Sequence, residues 1–67
     1  MKAEKVVKFN VEGCEMRILT DRKGKLGIYH PEDEYQNASF RGTWTEVVEF
    51  IHGSWGTQAS DQLPEKW

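Results

Sequence analysis

The sequence is poor in the features that usually hold a small secreted or metal-built domain together. Its 67 residues include one cysteine, Cys14, two prolines and two histidines. A single cysteine closes no internal disulfide, which points to a reducing compartment and to the cytoplasm. No stretch approaches the roughly 18 apolar residues of a membrane span. Residues 1–5 lead into no apolar segment, so a cleaved leader is not expected. Charge of one sign is lacking too: nine Lys and Arg against eleven Asp and Glu leave a net charge of −2.

Chemical motifs are equally scarce. Cys14, His30 and His52 are the only nitrogen or sulfur ligands. They show none of the paired spacing that a four-ligand zinc site needs. Two satisfied histidines and a small apolar thiol are the plainer reading, with no metal and no cofactor. Cys14 and His30 could approach across a hairpin as nucleophile and base, yet no glycine-rich nucleophile turn accompanies Cys14. The run Glu32-Asp33-Glu34 lacks the spacing of a calcium loop and reads as a solvated loop. Gly24 and Gly27 do not make a phosphate-binding loop. No catalytic constellation is left, and the chain is not expected to be an enzyme.

What is present is pattern. Between Lys5 and Val11, Val7, Phe9 and Val11 alternate with polar positions, the period of a half-buried strand. Glu12-Gly13 reads as a tight turn, and Cys14 to Thr20 as a second strand with Met16 and Ile18 on one side and Arg17 and Leu19 on the other. A polar turn containing Gly24 leads to a third strand over Leu26 to His30. Residues 31–37 read as a loop and 38–41 as a short fourth strand. Thr43-Trp44-Thr45-Glu46 fits a capping box, and Trp44, Val47, Val48 and Ile51 follow at helical spacing. The spacing predicts a helix near 44–52 with Gly53 as its terminator. Beyond it, residues 54–67 show neither period and read as an irregular tail, ordered only where Trp55, Leu63 or Trp67 finds a surface.

The expected fold is therefore α+β: a small antiparallel meander of three to four strands, one short C-terminal helix packed on one face, and a tail. Residues 1–53 would form the single domain and 54–67 the tail. Locally, Gly24-Lys25-Leu26-Gly27-Ile28-Tyr29-His30-Pro31 with Phe40 to Val48 resembles the strand–strand–capped-helix segment of HicB-type antitoxins. Against that pattern the chain has an extra leading strand and no recognisable DNA-binding extension.

A chain of this size buries only about 60% of its unfolded surface, and hydrophobic residues make up 37%. Without disulfides or metal, the remaining support is another subunit or a partner. The chain therefore reads as a small non-enzymatic protein-interaction module, a regulator or inhibitor that occupies a surface, with a homodimer expected and a phage or accessory origin in keeping with that role. Trp55, Trp67, Phe40 and Tyr35 are the candidate contact residues, since large aromatics are enriched where proteins meet. An exposed first or last strand offers a second route, by edge pairing. Charge is divided unevenly: residues 1–30 hold seven positive and four negative side chains, residues 31–67 two and seven. Hence the alternative, a single-stranded nucleic-acid binder using Lys8, Arg17, Arg22, Lys23, Lys25 and Tyr29 on a cationic, aromatic sheet face. The acidic total weighs against it.

Overall fold

A computed structural model of the chain describes residues 6–21 and 23–67. The lead-in 1–5, including Lys5 of the expected first strand, and Arg22 at the hairpin tip lie outside the described residues. The elements are β1 (Val7–Val11), β2 (Cys14–Thr20), β3 (Leu26–Tyr29), β4 (Ala38–Gly42), α1 (Trp44–Trp55) and α2 (Thr57–Ser60), with a 3₁₀ turn at Pro31–Asp33. The four strands form one antiparallel sheet in the order of the chain. This is the α+β meander that the patterning predicts, with the fourth strand present.

Turn chemistry sets the register. Glu12 and Gly13 take φ of 49° and 88°, the two positive values of a hairpin turn whose twist matches the strands it joins. Val11 is thereby opposite Cys14, Phe9 opposite Met16 and Val7 opposite Ile18. At the next turn the Asp21 carboxylate accepts the backbone N–H groups of Lys23 and Lys25, both at 2.9 Å. Those bonds, the one to Lys25 first, hold its pKa below the ordinary value, with smaller help from the charges of Arg41 and Lys23 and some opposition from desolvation.

Alternation then places Phe9, Met16, Ile18, Leu26 and Ile28 on one face, where Val47 and Ile51 of α1 meet them. The helix thus covers the face carrying Val7, Phe9 and Val11. Six of these side chains, from Phe9 to Ile51, are essentially sealed from solvent. Each contributes on the order of 1.5–3 kcal/mol of burial. The capping box forms as read: Thr43 Oγ1 accepts the Glu46 N–H at 3.2 Å, and the Glu46 carboxylate accepts the Thr43 N–H at 2.8 Å. Only Thr43 separates β4 from α1, so the cap also fixes the angle at which the helix leaves the sheet.

Several boundaries differ from the sequence reading. Gly53 does not end the helix, which continues to Trp55 and stops at Gly56, the residue with φ of 81°. Trp55 lies four positions beyond Ile51 and packs on Phe9 and Phe50, a gain that outweighs the roughly 1 kcal/mol cost of an internal glycine. The third strand ends at Tyr29, because His30 caps the 3₁₀ turn by accepting the Glu32 N–H at 3.0 Å. Val6 is outside the first strand and exposed. Residues 57–60 are helical, and Ala59 is buried against the core with Leu63 and Trp67 beside it. The segment read as an irregular tail therefore begins with the end of α1 and a further helical turn. Trp55, Leu63 and Trp67 each find the surface that their ordering requires.

Candidate interaction edges

A four-stranded meander has two edges, and they are finished differently. At β1 the backbone of Asn10 points outward. Its N–H donates to Gln62 Oε1 at 2.8 Å, and its carbonyl accepts from Gln62 Nε2 at 2.9 Å. The same Nε2 also donates to the Gln58 carbonyl at 2.9 Å. A primary amide carries a donor and an acceptor side by side, as a peptide unit does, so Gln62 stands where a neighbouring strand would. The segment bearing it is held by Ala59 in the core and by the Trp44 indole N–H, which donates to the Glu65 carbonyl at 3.2 Å. Trp67 lies against Trp44 with ring centroids 5.7 Å apart.

At β4 there is no such cover. Gly42 pairs with Leu26 and Phe40 with Ile28. Antiparallel alternation turns the backbone of Arg41 toward the free edge, while Ser39 is the residue skipped by the pairing. Among the described residues no backbone group or side chain bonds to that edge. A register shift between Ile28 and Tyr29 kinks its start, which shortens the straight part of the strand. On the helix side, Phe40 stacks on Phe50 at 4.5 Å and 14°. Phe50 meets Trp55 edge-on at 6.0 Å, and Trp55 meets Phe9 at 5.9 Å. A row of four rings thus runs from the open edge to the closed one beneath α1.

The four candidate contact residues do not form one patch. Phe40 and Trp55 belong to this row, half-buried, while Trp67 lies with Trp44 at the other end of α1. Tyr35 is on the opposite sheet face, where the Arg17 guanidinium sits 4.0 Å above its ring and its hydroxyl donates to the Glu15 carbonyl at 3.1 Å. Glu34 and Tyr35 both adopt φ of 60°, a strained pair for non-glycine residues, and this bend carries Tyr35 onto that face. Phe50 went unread in the sequence although it stands three positions after Val47. The signal that would find it is the demand of β4 for a partner on its helix side.

The cationic set is dispersed as well. Lys8, Lys23 and Lys25 are exposed, and Arg22 lies outside the described residues. Arg17 is half-buried, with its Nη2 3.1 Å from Glu15 Oε2. Tyr29, expected as a stacking surface, is only 8% exposed. Its ring covers Gly27, where an added Cβ would come within 2.9 Å of Tyr29 Cε1 and 3.2 Å of Ala38 Cβ. Glycine at 27 makes room for the tyrosine, and the ring offers no free face.

His30 Nδ1 accepts a backbone proton, so in that tautomer it cannot also donate to the Glu32 carboxylate 3.8 Å away. Cys14 is a half-buried free thiol beside the first turn. Among the described residues no group of three or more His, Cys, Asp or Glu side chains could hold a metal ion, and no helix is long and apolar enough to cross a membrane. The chain matches no protein-family model, no curated protein and no solved structure.

Proposed function

We propose that the protein is a small non-enzymatic interaction module, working in the cytoplasm as a regulator or inhibitor, that docks through the outer edge of β4. The observation that carries this reading is the unequal finish of the two edges: one is closed by a side chain of the same chain, the other is open. An unpaired strand is a template for strand addition, and the occupant that fits is a second copy. Pairing two β4 strands antiparallel about Phe40 sets Arg41 opposite Ser39 of the other copy, so no like charges face each other. The two Phe40 rings then fall side by side on the helix faces, extending the aromatic rows into one another. The scarcity of core in a chain of this length supports the same arrangement.

Sedimentation equilibrium tests it. The native chain should show a concentration-dependent dimer, and Arg41→Pro should weaken it at least tenfold. Proline removes an outward N–H while leaving the bonds to β3 intact. A strictly monomeric chain at high micromolar concentration would overturn the pairing. The nucleic-acid alternative keeps its lysines but lacks a stacking ring. A titration with a single-stranded oligonucleotide at low salt, read for a salt-dependent affinity, separates the two.

A further inference from the structure

At the far side of the molecule, the end of β1 and the carboxyl-terminal turn of α1 enclose a half-open cleft of about 230 Å³. Asn10, Val11, Glu12, Ser54, Trp55 and Gln58 line it, with Ala59 at its base. Its size is below the roughly 300–1,000 Å³ of small-molecule sites and suits a single amino-acid side chain. We infer that this cleft receives a cationic side chain, the ammonium of a lysine or the guanidinium of an arginine, from a partner polypeptide.

Three features of the lining agree on positive charge. Glu12, on the exposed turn that ends β1, is the one charged residue among those that line the cleft. The last turn of α1 forms one wall, so the negative end of the helix dipole falls here. The Gly56 N–H is used by the His52 carbonyl at 2.8 Å. Among the described residues no backbone donor reaches the carbonyls of Gly53, Ser54 or Trp55. Trp55 supplies an aromatic wall, the best side chain for attracting a cation through its ring. Ser54, Gln58 and Asn10 complete the lining with polar residues that can accept hydrogen bonds. Among the described residues no lysine or arginine lines the cleft. An alkyl stem would lie along Val11 and Ala59 while its charged head met Glu12, the usual division of a long basic side chain between apolar wall and polar rim. The site stands apart from the β4 edge and does not depend on pairing there.

The test is a titration of the full chain with Nα-acetyl-lysine methylamide, followed at the Trp55 indole N–H and the Glu12 and Ser54 amide resonances. The expected result is a saturable shift at those three groups with millimolar affinity, weakened at 0.5 M salt. The uncharged norleucine analogue should leave them unmoved. Glu12→Gln should weaken binding about threefold, and Glu12→Lys should abolish it with the remaining amide spectrum unchanged. Equal shifts from the norleucine analogue, or a lysine shift that survives Glu12→Lys, would overturn the assignment. So would the absence of any saturable shift at 50 mM.

Discussion

The two edges of this sheet are made from closely similar strands. β1, Val-Lys-Phe-Asn-Val, and β4, Ala-Ser-Phe-Arg-Gly, are each five residues long with a phenylalanine at the centre of the helix-facing side. What separates them comes later in the chain. β1 is followed at long range by Gln62, whose amide occupies the outward backbone of Asn10. β4 runs through Thr43 directly into α1, which lies over its face and leaves its edge uncovered. Edge protection here is a property of the tail and the loops, not of strand composition.

The largest effect is expected from Phe40→Ala. It removes the ring that stacks on Phe50 and opens the aromatic row at the β4 side. A loss of about 2–3 kcal/mol in chemical denaturation is expected for a half-buried phenylalanine, together with loss of pairing in sedimentation. A change below about 1 kcal/mol would mean that the row contributes little.

Gln62→Ala sharpens the contrast from the other side. Two bonds to Asn10 disappear, for about 1–2 kcal/mol, and the chain gains a second open edge. Such a molecule can add copies at both ends, so light scattering should show species larger than a dimer. A variant that stays as small as the native chain would show that β1 is guarded by something besides Gln62.

How much of this could be read beforehand varies by element. The β1–β2 hairpin and the capped start of α1 were legible because their signals are local: alternation, Glu12-Gly13, and Thr43 three residues before Glu46. The end of α1 was not, since a glycine at 53 is a terminator only if the stripe stops, and Trp55 continues it by packing on a strand more than forty residues earlier. Tyr29 was misread for a related reason. Its position on the outward face is correct, but Gly27 two residues before it lets the ring lie flat and become buried. The role of Gln62 is a pairing across fifty-two residues and leaves no periodic trace at all.

Smaller effects probe how the edges are anchored. Thr43→Ala removes the cap that joins β4 to α1 and should cost about 1 kcal/mol, visible as a lowered denaturation midpoint with unchanged slope. Acid acts at the turn between β2 and β3, next to the end of β4. Asp21 has a folded-state pKa below its ordinary 3.8, so its stabilisation is fully present above that value and is lost as the pH falls through the lowered one. Amides at Lys23 and Lys25 should therefore lose protection only in strong acid, and Asp21→Asn should remove that pH dependence.

Amide hydrogen exchange, followed at Asn10 and Arg41 across a range of protein concentrations, addresses the two edges in one experiment. Asn10 should be protected at every concentration, because its cover is intramolecular. Arg41 should exchange freely in dilute solution and gain at least tenfold protection as copies pair. Rapid exchange at Asn10, or an Arg41 amide indifferent to concentration, would contradict the account.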